Sequence, residues 1–299
     1  MRADPFFIQN TLVSLNQVQS NVQTYTQQLS SGVSVNSLSD NPSAAAQDSV
    51  VANNISVDAT FTQTAGSTEG MMQVTDSTLA AVVSQLNSAI STATAGNNGT
   101  LNSADKASVV AQLQGIRSSI VGLANSSYMG VSIFAGSQGN ATAFTIDSST
   151  SPATVNYHGD SVAQSITTPT GATLQTSIPG DQIFGGGTGT SANVLGVLNN
   201  LINDFSTGTS AVADTAALNT SLNQLSSVRA QFDSSLQQLQ SVDSYTQTQQ
   251  VQLQAAQAAL VAANPAQIAT NLSNAEVQQS ALMSVMASSN KTDLFDYLR

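Results

Sequence analysis

The sequence predicts a mainly α protein with a small β-rich insert: an elongated helical bundle or coiled coil built from the N- and C-terminal segments, with a central β domain. Three observations predict it. Apolar residues recur at steps of three and four through both ends of the 299-residue chain. The middle switches to brief alternating apolar runs set among Gly, Thr and Pro. From Leu218 to Leu239 the apolar stripe keeps a heptad spacing, the pattern of coiled-coil packing.

The first helix opens with Asp4 as N-cap and Pro5 at the first helical position. Ile8, Leu12, Leu15, Val22 and Leu29 form its stripe, with Val18 and Tyr25 alongside, and Gly32 stops it. A loop, Ser34 to Asn41, follows, and Asn41-Pro42 starts a second helix. Ala44, Val50, Val57 and Phe61 begin that helix, and Met72, Leu79, Val82, Leu86 and Ala89 continue it. Gly66 and Gly70 lie between, each costing about 1 kcal/mol relative to Ala, so a kink or break is expected there. The helix ends at the turn Ala95 to Gly99. Ser103 is the expected cap of a third helix carrying Val109, Leu113, Ile116, Ile120 and Leu123, which pairs with the second as an antiparallel hairpin.

Short strands are expected at Val131–Phe134, Phe144–Ile146 and Thr154–Tyr157, around Ile166, Leu174 and Ile178, and at Ile183-Phe184. Gly185 to Gly187 closes this region as a joint. Helix resumes over Ser191–Phe205. Asp214 is the expected cap of a long helix with Leu218, Leu222, Leu225, Phe232, Leu236 and Leu239, with Arg229 inside the stripe and Val242, Tyr245, Leu253 and Leu260 extending it. Asn264-Pro265 interrupts, and Ile268, Leu272, Ala275, Leu282 and Met286 open a last helix that runs to the apolar end Leu294, Phe295, Leu298. This gives three expected domains: 1–42 with 264–299 as a terminal helical assembly domain, 43–130 with 191–263 as a helical bundle, and 131–190 as a small β-rich domain. A segment of about 60 residues buries little core of its own, so the last should lean on the helices.

Composition narrows the function. Charged residues are 8% of the chain, against about 25% in an ordinary soluble protein. The net charge is −11, and the six basic residues are scattered, so neither a phosphate backbone nor an anionic membrane is an expected partner. There is no Cys, which removes disulfides and thiolate metal sites. The N-terminus shows no apolar run of about 7–15 residues, as a signal peptide would, and no stretch approaches the ~20 apolar residues of a membrane span. The expected locations are the cytosol, or outside the cell by a route that reads no cleavable signal.

Catalytic, cofactor-binding and metal-binding residues are not expected. The one His, His158, could pair with Asp160 as an acid–base unit, but Tyr157-His158-Gly159-Asp160 reads as a turn between strands, with no nucleophile or oxyanion donors alongside. Gly185 to Gly189 lacks the Lys and Ser/Thr of a phosphate loop and reads as a linker. Asp147 with Asp160, and Asp40 near Asp48, could bind a cation weakly but serve equally as caps and surface charges. The stripes of the middle helices are expected to be buried within the chain. The end stripes are not, because two paired helices leave much apolar surface in water. The expected assembly interface is Ile8, Leu12, Leu15, Val22 and Leu29 at one end and Ile268, Leu272, Leu282, Leu294, Phe295 and Leu298 at the other.

The stretch Gln28-Leu29-Ser30-Ser31-Gly32 through Ser39-Asp40-Asn41-Pro42-Ser43-Ala44-Ala45 resembles the connection between the first two helices in the bacterial flagellin superfamily. Tyr128 to Ser137, Phe144, Tyr157-His158-Gly159-Asp160, Pro179 to Phe184 and the ending Leu294 to Leu298 resemble the hook-associated branch of that superfamily. Val33, Asn41 and Val131 depart from the usual residues. The resemblance implies a non-enzymatic structural subunit of the bacterial flagellum at the junction between hook and filament. It would be secreted by the flagellar type III export route with a chaperone and would form a ring of copies. Its neighbours would be another hook-associated protein on the hook side and flagellin or an adjoining junction protein on the filament side. The alternatives are flagellin itself, a cell-surface adhesin and, more remotely, a hydrolase using His158.

Overall fold

The computed structural model describes residues 5–35, 37, 40–98, 101–139, 142–147, 149, 153–185 and 193–297. Helix α1, Pro5–Ser31, ends where Gly32 takes a φ of 71° and its N–H bonds the Gln28 carbonyl at 3.0 Å. The expected cap Asp4 lies outside the described residues. Helix α2, Pro42–Gly96, begins as its cap predicts: Asn41 Oδ1 accepts the Ala44 N–H at 3.1 Å.

Helix α2 is one helix of 55 residues, with no break at Gly66 or Gly70. Magnitudes explain this correction. The two glycines cost about 1 kcal/mol each, whereas burying each of Met72, Leu79 and Leu86 returns about 1.5–3 kcal/mol, and all three are fully buried. Gly70 is also used: the Tyr128 hydroxyl stands over it, where any Cβ would collide.

Helix α3, Ser103–Ala124, is capped one residue earlier than expected. Asn102 Oδ1 accepts the Asp105 N–H at 2.9 Å while the Asp105 carboxylate reaches back to the Asn102 N–H, a reciprocal capping box that Ser103 cannot form from inside the helix. Three antiparallel pairs follow: β1, Ser127–Tyr128, with β2, Val131–Ser132; β3, Phe144–Asp147, with β4, Thr154–Tyr157; β5, Ser165–Thr167, with β6, Thr173–Gln175. Met129 and Gly130 both take positive φ, the two-residue turn that suits a tight hairpin.

At Ile183-Phe184 the expected strand is replaced by a single helical turn, α4, Gly180–Ile183, with Phe184 as its cap; Ile178 precedes it outside any strand. Adjacent strand residues point to opposite faces. A helical turn instead sends both Ile183 and Phe184 inward, and both are fully buried. The Phe184 ring meets Phe134 and Phe144 edge-on at 5.2 and 5.3 Å. Gly180 lies tight under this cluster and donates its N–H to the Phe134 carbonyl at 2.9 Å.

Helix α5, Val194–Thr207, is capped by Asn193 and closed by left-handed Gly208; its expected start at Ser191 lies outside the described residues, as do residues 186–190. Helix α6, Val212–Val261, starts before Asp214, which sits in its first turn and is not the cap. Leu218, Leu225, Phe232 and Leu239 are buried seven apart, and Thr246 continues the register where Tyr245 was expected. Tyr245 faces water, and Thr246 satisfies its hydroxyl on the Val242 carbonyl at 2.8 Å. Helix α7, Pro265–Tyr297, follows the break at Asn264-Pro265.

The chain divides into two units, Met1–Val57 with Gln249–Arg299, and Asp58–Thr248. In the second, Ile133, Phe134, Phe144, Ile183 and Phe184 from the strand-bearing segment belong to one continuous core with α2, α3, α5 and α6. Asn125 at the end of α3 holds β3 by both its oxygen and its nitrogen, each at 2.8 Å from the Phe144 backbone. Buried Arg117 donates to the Ala153 carbonyl at 2.9 Å and to Asn199 Oδ1 at 2.8 Å, tying α3 to the chain before β4 and to α5.

Two glycine substitutions test this packing in opposite directions. A Cβ on Gly180 would stand 2.8 Å from the Phe134 carbonyl oxygen and the Phe144 ring, so Gly180→Ala should destabilise the second unit by about 1–3 kcal/mol. Gly66 has open space around it, so Gly66→Ala should stabilise by about 0.5–1 kcal/mol. Urea unfolding midpoints measure both.

Candidate assembly surface

The first unit is built from both ends of the chain. Helices α1 and α7 pack against each other, and a short latch joins the end of one to the approach of the other. The Ser34 N–H donates to the Val261 carbonyl at 2.7 Å, the Ala263 N–H donates to the Gly32 carbonyl at 3.0 Å, and Val33 bridges Ala262 in antiparallel fashion. The end of α1 therefore meets the start of α7, and the two helices run antiparallel. Asn264 caps α7 by accepting the Ala266 and Gln267 N–H groups at 3.1 and 3.3 Å. Beside the latch, Gln257 of α6 donates to Asp48 of α2 at 2.9 Å.

Burial separates an inner from an outer face. Thr11 and Val18 on α1 and Ile268 and Ala275 on α7 are buried. Leu15, Val22, Leu272 and Leu282 are half-buried, while Leu12 and Leu29 are exposed. Of the other expected interface residues, Ile8, Leu294 and Phe295 lie in helix but their side chains are outside the described set, and Leu298 is outside the described residues altogether. The helical period thus picked out mainly the stripe with which α1 and α7 hold each other. It missed a second set on the outer faces: Phe6 and Val13 on α1 are 70% and 68% exposed and Val277 on α7 is 66% exposed, and Val50 and Val57, counted from the sequence in the α2 stripe expected to be buried, are instead 62% and 48% exposed. A signal was present, since Phe6–Val13 and Val50–Val57 are both spaced by seven.

Charge in this unit is confined to short stretches. Residues 5–39 and 244–275 carry no charged side chain. The continuous core described above runs from Phe61 to Leu239 and includes no residue of the first unit. Apolar burial here is therefore sparse, and the outer apolar positions sit in a surface of Gln, Asn, Ser and Thr.

The turn at His158 is arranged structurally. His158 Nε2 lies 2.7 Å from Thr145 Oγ1, and its backbone N–H donates to the Ala143 carbonyl at 2.9 Å. The Asp160 carboxylate accepts the Ser137 N–H at 2.8 Å and the Val162 N–H at 3.1 Å, and bonds the Ser137 hydroxyl, so it clasps the turn at Gly136 and is not paired with His158. Burial and then the charge of Asp181 push the Tyr157 phenol up to about 12, and its hydroxyl bonds the Phe134 and Asp160 carbonyls. Among the described residues no group of three or more His, Cys, Asp or Glu could hold a metal ion, and no helix is long and apolar enough to cross a membrane.

Residues 7–139 match the bacterial flagellin N-terminal helical region. Flagellar hook-associated protein 3 of Salmonella typhimurium is 28% identical over 241 residues, covering 73% of this chain and 74% of that protein. Among solved structures, a chain described as a flagellar hook-associated protein from Vibrio parahaemolyticus superposes with a TM-score of 0.63 at 20% identity, over 74% of this chain and 99% of that one. The flagellar junction protein FlgL from Legionella pneumophila superposes with a TM-score of 0.56 at 13% identity, over 73% of this chain and 100% of that one. At these identities the structures show the shared fold. This chain is thus similar to the flagellin N-terminal helical region over residues 7–139 and to flagellar hook-associated protein 3 over 73% of its length, and it shares the fold of the two solved structures.

Proposed function

We propose that the protein is a structural subunit of the bacterial flagellum at the hook–filament junction. It is secreted through the flagellar type III export route with a chaperone and acts outside the cell. Residues 1–42 and 264–299 form its assembly domain, 43–130 and 191–263 its bundle, and 131–190 its β-rich part. Copies join in a ring, with another hook-associated protein on the hook side and flagellin or an adjoining junction protein on the filament side. The observation that carries this reading is the end unit with apolar side chains on both its inner and outer faces.

Magnitudes favour many contacts over one. Burying a Val or Phe that now faces water returns about 1.5–3 kcal/mol, while association costs about 4–15 kcal/mol in lost freedom. One pair such as Val50 and Val57 cannot meet that cost. The outer positions on α1, α2 and α7 together can, provided neighbours cover several faces at once, as in a closed ring. The uncharged stretches 5–39 and 249–275 also let copies with a net charge of −11 approach there without desolvating ions.

A second reading, flagellin itself, is favoured by the match to the flagellin N-terminal region. A deletion strain separates the two. For a junction subunit, loss should leave hooks intact while flagellin is shed into the medium; absent hooks, or loss of secreted flagellin, would sink the assignment.

The surface argument makes two further predictions. Val50→Asn or Val277→Asn should shift the unfolding free energy of the monomer by no more than about 0.5 kcal/mol yet weaken incorporation into flagella. Ile268→Ala should instead cost about 2–4 kcal/mol within the first unit. Hydrogen exchange of that unit, beside a motility assay, distinguishes them. Removal of residues 1–30 or 270–299 should abolish assembly while the remaining core still melts cooperatively in calorimetry.

A further inference from the structure

Helix α6 carries three carboxyls that each face another carboxyl. Asp214 is hydrogen-bonded to Asp204 of α5, and Asp233 to Asp76 of α2. Asp243 lies close enough to Glu69 of α2 for its charge to act there. All six are half-buried. Glu69 Oε1 and Asp243 Oδ1 are sealed from water with no hydrogen-bond partner. Further along α2, Asp58 is 3% exposed and its Oδ2 is also unpartnered. An ionised carboxylate only accepts hydrogen bonds, so two can bond each other only if one carries a proton.

The groups facing each pair supply little positive charge. Arg229, on α6 itself, binds Asp76 through Nε at 2.5 Å and Nη2 at 3.2 Å and also acts on Asp233. Near Glu69 stands the Tyr128 hydroxyl, over Gly70. Near Asp214 the neighbouring Thr215 accepts from Asn97 of the α2–α3 turn at 3.0 Å. Among the described residues of the second unit there are eleven acidic side chains and three basic ones, Lys106, Arg117 and Arg229.

We propose that the docking of α6 in this unit is linked to protons: Glu69, Asp214 and Asp233, each set against another carboxyl, and buried Asp58 hold protons in the folded bundle, so the unit takes up protons as it folds and becomes more stable as the pH falls below neutrality. Burial raises Asp58; burial and then Asp243 raise Glu69; burial and then Asp204 raise Asp214; burial and then Asp76 raise Asp233. A carboxyl raised in the fold keeps a proton that the unfolded chain has lost. Its stabilising contribution is complete below the unfolded value of about 4 and is lost as the pH rises through the folded value. Asp76, Asp147 and Asp160 run the other way: hydrogen bonds from Arg229, Ser149 and Ser137 lower them, so their contributions are present above about 4 and lost as the pH falls through the depressed values. Stability should therefore peak on the acid side, near the ordinary carboxylate range, and decline on both flanks.

The test is the melting temperature of the full chain between about pH 7.5 and pH 4. The expected result is a rise of several degrees on acidification that persists in about 0.5 M NaCl, where long-range charge repulsion is screened. Combining Glu69→Gln, Asp214→Asn and Asp233→Asn should raise the melting temperature at neutral pH and remove at least half of the slope. Glu276→Gln, which removes an exposed charge on α7, should leave the slope intact. Should the triple variant fail to fold, urea unfolding of the unaltered chain in weak buffer near pH 5.5 gives the same information, since it should release protons. A flat or falling melting temperature on acidification, a slope that vanishes in salt, a slope equally reduced by Glu276→Gln, or proton uptake on unfolding would each overturn the proposal.

Discussion

The aliphatic layer made by Met72, Leu79 and Leu86 on α2, Leu113 and Ile120 on α3, and Leu218, Leu225 and Leu239 on α6 is removed from water completely. Other features of the second unit take their positions from it. It carries α2 past two glycines that would weaken an isolated helix. It brings Asp76 of α2 within reach of Arg229, forming the ion pair inside the α6 stripe. It also supports strand pairs of two to four residues, which as isolated hairpins would be marginal in water. The segment that carries them adds Phe134, Phe144 and Phe184 to the same core, and strand residues such as Ile146, Val155 and Leu174 pack partly against it.

Wherever burial follows a regular period, the sequence was readable. The caps at Asn41-Pro42 and Asn264-Pro265 and the stop at Gly32 are local chemistry and stand where expected. The departures arise where neighbours distant in sequence decide the outcome. Thr246 replaces Tyr245 in the register because its hydroxyl bonds its own helix when buried, whereas a buried phenol would need another partner. Ile183 and Phe184 turn helical because the core has room for both on one side. For the assembly surface, periodicity showed which residues repeat but not which of two repeats each helix spends on its own partner. Leu15 and Leu272 went inward, whereas Phe6, Val13 and Val50 stayed outside.

Charge is clustered along the chain in a way that composition alone conceals. Carboxylates of the second unit cap turns or meet one another at short range, whereas in the first unit residues 5–39 and 249–275 carry none. The first unit relies on amide and hydroxyl groups: Gln28 to the Ser34 carbonyl, Gln17 to Asn21, Gln267 to Asn271. Such groups supply donors and acceptors in any orientation and cost less than ions to remove from water. A surface of this kind stays soluble while remaining inexpensive to bury later.

The latch between Ser34 and Val261 joins residues separated by 227 positions. Contacts so distant along a chain form late, because the intervening loop must close before they return any energy. During synthesis the residues of α1 leave the ribosome well before their packing partners on α7. The end unit therefore cannot be completed until α7 has followed, and a product cut short before it presents no finished assembly face. Chain topology thus sets an order: the latch can close only after residues 261–263 have emerged.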